Sequence, residues 1–396
     1  MIGVGSGPDV RGARAAGPAL GVTRASEREC WIALSLLPGI GPAAFTQLLR
    51  RHGSAAAAWR AGHDALSGLG RVSDEALAAM ASLEGQDPRA LARRVEDATR
   101  NAGGRVITWL DDAYPPALLT LDPRPPTLYI AGDTQAFRER GVAIVGTRRA
   151  SGYGLSVATE IADELARAGV VVVSGLALGV DGAAHRAAVA AGGRSIAVLP
   201  SPLDHIYPPR HRPLAREIVA GGGALVTEVP TGATVGKPDF ARRNRIIAGL
   251  AEAVVVTEAP DRSGALLTAA AATAIGRELY AVPGPIGAMG SRGCNRLIAD
   301  QQATIVTSTA ALLRQIGLGS GRRAPAVASL SEVEGQVLKR LLERSGSIEE
   351  LVDRTDQPPA AVASALTLLE ARGLVDPFGG ATFHPTRAAR SMTNGV

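Results

Sequence analysis

The chain has 396 residues, 42 Lys plus Arg against 37 Asp plus Glu, a formal net charge of +5, and 46% hydrophobic residues. That length exceeds what one core ordinarily serves and predicts two or three domains, while so small a basic excess favours a polyanionic partner only where it clusters. Aromatics at 3% exclude a broad base-stacking platform, so nucleic acid would have to be held by basic side chains, backbone amides and one or two rings.

Residues 1–26 are rich in Gly, Ala and Arg and read as a disordered extension. Cys30 and Cys294 lie far apart without metal-ligand spacing, so neither a disulfide framework nor a metal site is expected, and a reducing cytoplasm is the expected setting. Apolar runs are strand-length or broken by Gly, Pro and charge, and none approaches the roughly 20 residues of a membrane span.

Residues 27–104 carry apolar positions at helix-face intervals: Trp31, Leu34 and Leu37, then Phe45, Leu48 and Leu49, then Leu77 and Met80, then Leu91 and Val95. Leu37-Pro38-Gly39-Ile40-Gly41 and Leu66-Ser67-Gly68-Leu69-Gly70 each separate two such helices. They read both as helix-hairpin-helix turns, where glycine lets backbone amides approach a phosphate, and as tight connectors in a small bundle. The proline-rich residues 111–127 cannot be helical and read as an ordered linker.

Over residues 105–318, short β-branched runs at 142–145, 170–173, 196–199, 225–227, 254–257, 279–282 and 304–306 alternate with Ala-rich helical segments. This predicts an α/β, Rossmann-like, doubly wound and mostly parallel sheet. Residues 319–328 form a Gly/Arg/Ala linker. Helical patterns at 333–342, 348–353 and 360–371, followed by a small hairpin, predict a winged helix over 329–386, with a tail at 387–396. Its last helix is poor in Arg, Lys, Asn and Gln, which favours protein contact over reading base edges.

Ligands of open α/β sheets bind beyond the carboxyl ends of the strands. In the loop from Val145 to Gly154, the amides around Gly146 and the Arg148 side chain are placed to hold an anion at a helix start. The glycine spacing is not the dinucleotide fingerprint, and Ser174-Gly175 stands where that motif needs an acidic residue. Within the second loop, Ser174 to His185, Asp181 reads as a helix cap and His185 as a hydrogen-bonding histidine. The third, from Gly236, sets Lys237, Phe240, Arg242, Arg243, Asn244 and Arg245 ahead of an apolar run. Cations so dense at a helix start oppose its dipole and call for an external anion or acidic neighbours, with Phe240 available to stack a base. A fourth strand-to-helix loop, Glu258 to Thr268, is expected to line the same cleft.

These motifs, in this order and together with Tyr207-Pro208, Val282-Pro283-Gly284 and Arg292-Gly293-Cys294-Asn295, resemble the DNA-processing protein A (DprA, also called Smf) family across the whole α/β unit. The helical and winged-helix segments are similar to accessory domains of that family. The resemblance implies single-stranded DNA binding, homodimerisation and loading of a RecA-type recombinase during natural transformation, without a cofactor or a catalytic residue. It implies a DNA pocket of Gly146, Arg148, Ser174, Gly175, Lys237, Phe240, Arg242, Arg243, Asn244 and Arg245, and self-association through Asn295, Ile298 and Ile305. Leu178 stands where the family commonly has Arg, Pro200-Ser201-Pro202 replaces a Gly-rich turn, and Ala241 replaces a Pro. The competing expectation is an enzyme like the nucleoside-monophosphate phosphoribohydrolases. There Thr268 would match the motif, but Ala271 would occupy the position of the required Glu.

Overall fold

The computed structural model describes residues 25–66, 77–78, 81, 86–318, 330–371, 374–378 and 382–385. The expected N-terminal extension up to residue 24, most of the second hairpin, the linker, the Gly379-Gly380 turn and the tail lie outside the described residues.

Among the described residues the chain opens with helices α1 (Glu27–Ser35), α2 (Pro42–His52), α3 (Ala55–Ala61) and α4 (Pro88–Asn101). A capping box fixes the start of α1, where Ser26 and Glu29 satisfy each other's backbone amides. The apolar face of α1 meets that of α2, and Trp31, Phe45 and Trp109 form a cluster with ring centroids 4.9–6.1 Å apart. The proline-rich segment is the seat for this cluster. Its carbonyls accept from the Trp31 indole (Pro126 O, 2.9 Å), the Trp109 indole (Pro125 O, 2.5 Å) and the Tyr114 hydroxyl (Pro125 O, 2.8 Å). Prolines supply carbonyls with no competing N–H, so buried Trp and Tyr find partners without disturbing a ladder.

The central sheet has nine strands in the order β1-β2-β6-β5-β4-β3-β7-β8-β9. They are β1 (Arg105–Thr108), β2 (Thr127–Gly132), β3 (Gly141–Val145), β4 (Val171–Ser174), β5 (Ser195–Val198), β6 (Ala224–Thr227), β7 (Ala253–Val256), β8 (Glu278–Ala281) and β9 (Thr304–Ile305). From β6 to β9 every pairing is parallel. Alternate residues serve opposite layers: Ala143 and Val145 face one core, Val142 and Ile144 the other, which is why the central strands read as unbroken apolar runs. Two strands were not anticipated. β1 and β2 add an antiparallel ribbon to the β6 edge, and the Pro-rich connection between them hides their pairing from a reading of local pattern.

Crossover helices α5 (Gly152–Arg167), α6 (Val180–Ala190), α7 (Arg212–Ala220), α8 (Lys237–Leu250), α9 (Ala265–Ala274), α10 (Arg292–Ala299) and α11 (Thr309–Gln315) flank the sheet. Because β4 lies on one side of β3 and β7 on the other, the loops leaving β3 and β7 diverge and open a crevice at the carboxyl edge. Further along, α12 (Glu332–Glu343), α13 (Ile348–Thr355) and α14 (Pro359–Ala371) pack on a three-stranded antiparallel sheet of β10 (Gly346–Ser347), β11 (Val375–Phe378) and β12 (Thr382–Pro385). This is the winged-helix architecture.

Candidate nucleic-acid interface

The crevice between β3 and β7 is a cleft of about 460 Å³ whose walls include Arg148, Arg149, Phe240, Arg243, Asn244 and Arg262. Arg148, Arg149 and Arg262 are exposed, and among the described residues none of the three has a carboxylate partner. The Arg148 guanidinium carbon lies 5.2 Å from the centre of the Phe240 ring, which in turn meets Tyr207 edge-on at 5.6 Å. Both rings remain partly exposed, Tyr207 at 42%. The floor is basic and its side wall aromatic, the two surfaces a single strand uses. Helix α9 starts in this cleft with Gly264 at its N-cap; its first amides are taken within the turn, Ala265 N donating to Ser263 Oγ at 3.3 Å and Leu266 N and Leu267 N to the carbonyls of Ser263 and Gly264 at 3.1 Å, so Arg262 rather than the helix start is the anion-binding group on this wall.

Arg243 differs from its neighbours. Its side chain is buried, its Nη1 donates to the carbonyls of Gly175 and Val198, and its Nε donates to Asn244 Oδ1 at 3.1 Å. A side chain at position 175 would place its Cβ 2.2 Å from that nitrogen, so the guanidinium requires glycine there. Burial pulls its pKa down to about 10, opposed by the nearby Asp181. Asn244 completes the frame by donating from Nδ2 to Gly264 O at 3.2 Å. Arg243 and Asn244 therefore tie three cleft loops together.

The Ser174–Ala177 turn is held from behind. Leu176, with φ of +56°, donates its N–H to His185 Nε2 (3.3 Å) and accepts on its carbonyl from His211 Nδ1 (2.8 Å). With Nε2 accepting, the His185 proton sits on Nδ1 and points to Ser195 Oγ (2.7 Å), which passes its own to Val172 O (2.7 Å). Burial holds the His185 pKa down to about 3. Asp181 Oδ2 accepts from the amides of Gly175 (3.1 Å) and Ala177 (3.4 Å), while burial raises its pKa. It caps this turn; Gly179 is the N-cap of α6.

The structure brings Gly146, Arg148, Phe240, Arg243 and Asn244 to the cleft, with Gly175 in a narrower adjoining hollow beside Leu178 and Pro200. Ser174 is not there: it is buried, and its hydroxyl donates to Ile144 O at 2.6 Å. Arg242 and Arg245 lie on the other side of α8. Arg245 pairs with Glu228 and donates to Pro123 O, whereas Arg242 is half-exposed with Asp239 at 3.6 Å. The Lys237 side chain lies outside the described residues, although its backbone begins α8. The anion expected at the start of α5 is the protein's own: Glu258 Oε2 accepts from Ser151 N and Ser151 Oγ, both at 2.9 Å. Sequence reasoning gave Tyr207, Arg149 and Arg262 no role of their own. Each stood inside a quoted motif, where charge on a strand-to-helix loop was the available signal for the two arginines.

Behind α8 a second hollow, of about 360 Å³, lies between Arg242, Arg245 and the first hairpin, with Gly39, Gly41, Ala43 and Gln47 on its far wall. Helix α2 begins here at Gly41 without a side-chain cap. At the opposite edge of the sheet, Ile298 and Ile305 line a shallow depression of about 520 Å³ beside Tyr280. Asn295 does not line it; its amide closes on the backbone N–H and carbonyl of Gly284 at 3.1 and 3.0 Å.

Sequence profiles of known families match three segments of the chain. That of the DNA recombination-mediator protein A family matches residues 105–317, that of the DprA winged helix domain 321–381, and that of the DprA-like N-terminal HHH domain 25–83. Protein Smf of Escherichia coli K12 is 39% identical over 292 residues, covering 72% of this chain and 78% of that protein. The putative DNA processing protein DprA of Mycobacterium tuberculosis H37Rv is 38% identical over 294 residues, covering 69% and 75%. Among solved structures, DprA from Streptococcus pneumoniae superposes with a TM-score of 0.62 at 30% identity, covering 74% of this chain and 99% of that one. DNA processing protein A from Helicobacter pylori, solved to describe its single-stranded DNA binding mode, superposes with a TM-score of 0.50 at 30% identity, covering 54% and 97%.

Proposed function

We infer that this chain, which belongs to the DNA recombination-mediator protein A family, binds single-stranded DNA in the β3–β7 cleft and serves DNA processing by binding rather than by catalysis. The observation that carries the reading is the set of three exposed guanidiniums, Arg148, Arg149 and Arg262, converging on a cleft walled by Phe240, without carboxylate partners among the described residues, while Tyr207 meets Phe240 from the adjoining hollow. A backbone phosphate sits against Arg262, a base stacks on Phe240, and Arg148 bridges the two. Arg243 and Asn244 position these groups. The strand then crosses α8 towards Arg242 and the hairpin hollow.

The wall carboxylate Asp181 is engaged by two amides, and Ala271 on α9 has no acid–base group, so the phosphoribohydrolase alternative has no observation in its favour. By family resemblance the bound strand is protected as a homodimer, formed through Ile298 and Ile305, and presented to a RecA-type recombinase in natural transformation. Gel shifts with a labelled 20-nucleotide strand and its duplex test the central reading. The expected result is a shift for the strand, a much weaker one for the duplex at 150 mM salt, and loss of the strand complex in the Arg148→Gln, Arg262→Gln double variant. Equal affinity for duplex, or an unaffected double variant, overturns it.

A further inference from the structure

We propose that the narrow hollow beside the cleft seats one nucleobase and prefers a pyrimidine: apolar walls hold the single ring, and the free amino group of Arg243 donates to the ring carbonyl. Leu178 is then a specificity-determining side chain. The inference deepens the single-strand reading and rests on it for the presence of a strand.

The hollow has a volume of about 70 Å³ and is walled by Ala177, Leu178, Pro200, Tyr207, Pro208 and Phe240. At about 10–15 Å³ for each water it admits about five to seven of them, which suits the single ring of a pyrimidine better than the fused rings of a purine. Charge enters at two places. Arg148 is exposed at the rim, where a phosphate passes, and Arg243 is buried at the floor. Arg243 is 7% exposed; its Nε is engaged by Asn244 Oδ1 and its Nη1 by the carbonyls of Gly175 and Val198. Its Nη2 has no partner among the described residues and is not sealed from solvent. A guanidinium that has given up its hydration and keeps an amino group idle is incompletely satisfied, and the hollow is where an acceptor reaches it. A phosphate fits poorly there, because Pro200 and Pro208 have no N–H and Leu178 no charge to offer it. A pyrimidine fits: its ring lies among Leu178, the prolines and the aromatic pair, and the carbonyl between its ring nitrogens accepts from Nη2. Adenine has no carbonyl, and that of guanine comes with a second ring. The walls are fixed before any ligand arrives. His211 donates from Nδ1 to Leu176 O at 2.8 Å and from its amide to Pro208 O at 2.9 Å, which joins the Tyr207–Pro208 side to the Ala177–Leu178 side. Leu178 is only partly buried and takes no part in these bonds, so its size can be changed without disturbing them.

The test is fluorescence anisotropy of the full chain with short labelled strands of dT, dC and dA. Wild type should bind dT and dC at least about fivefold more tightly than dA, the worth of one buried hydrogen bond. Leu178→Trp, which closes the hollow, should bring the dT:dA ratio below about twofold by weakening dT and dC while dA stays nearly as it was. Leu178→Ala, which widens the hollow, should narrow the ratio from the other side by strengthening dA. Both variants should keep the wild-type dependence on salt, since no phosphate contact is lost. Strands of dA also stack on themselves, but a preference from that source alone is the same in every variant. A ratio that neither Leu178 variant moves therefore overturns the proposal, as does equal affinity of the wild type for all three strands, and should one variant fail to fold the other decides. Strands that bind without base preference remove the base seat and leave the single-strand reading standing, whereas a wild type that binds none of the strands removes that reading and the seat with it.

Discussion

Replacing Arg243 by Met separates a residue that holds the cleft from one that touches phosphate. Met keeps much of the side-chain volume but strands the carbonyls of Gly175 and Val198 and the Asn244 acceptor, all of which now take guanidinium protons. With three buried acceptors left unmatched and Asp181 losing its countercharge, the cost should be at least that of breaking a buried charge pair, about 3–5 kcal/mol. It is read as a lower urea midpoint for the α/β unit. Strand affinity should fall as well, because the loops that Arg243 joins carry the contacts, yet its dependence on salt should not change. Three or four phosphates neutralised by Arg148, Arg149, Arg262 and Arg242 give log affinity against log salt a slope of roughly −2 to −3, at about 0.7 per contact on a single strand. Arg148→Gln should reduce that slope by about 0.7, whereas Arg243→Met should leave it within error. If Arg243→Met instead lowers the slope as Arg148→Gln does while the urea midpoint stays put, the guanidinium is a phosphate ligand and the argument from burial is wrong.

Phe240→Ala should weaken strand binding by about 1–3 kcal/mol with an unchanged salt slope, since stacking releases few ions; fluorescence anisotropy at three salt concentrations checks this, and an unaltered affinity would mean the ring only packs. His185 gives a pH signature. Its folded pKa of about 3 lies below the unfolded 6.5, so the unfolded chain binds the extra proton in that window. The stability it contributes is fully present above about pH 6.5 and is lost as pH falls towards 3, at up to about 1.4 kcal/mol per pH unit. Urea unfolding at pH 7, 5.5 and 4.5 should show that slope in the wild type and a flatter one in His185→Asn; equal slopes refute the assignment. Aspartate at both Ile298 and Ile305 should convert a micromolar dimer into a folded monomer with weaker affinity for long strands than for very short ones, because one dimer offers two clefts. Light scattering decides it, and a wild type already monomeric at that concentration removes the premise.

The parallel strands were legible because a strand buried on both faces is apolar throughout, and the cleft was legible because charge on strand-to-helix loops is conspicuous. Arg243 shows where legibility stops. Arg242 and Arg243 look alike as neighbours, but Arg243 falls in step with Ile246, Ile247 and Leu250 at intervals of 3, 4 and 7, the buried face of α8. That spacing marks it as inward-pointing. Glu258 gave no such signal, since the Ser151 it serves lies 107 residues away. The antiparallel ribbon of β1 and β2 was missed for a related reason: strand pairing is a long-range fact, and the prolines between the two strands describe only the connection.

Helix α8 stands as a ridge with Phe240, Arg243 and Asn244 on one flank and Arg242 and Arg245 on the other. A polymer engaging both flanks has to turn over a helix about 10 Å across. Duplex DNA, stiff over roughly 50 nm, bends that sharply only at great cost, while an unpaired strand pivots at every sugar–phosphate bond. On the proposed path the ridge would select by flexibility, and the expected preference for single strands would need no contact with a Watson–Crick edge.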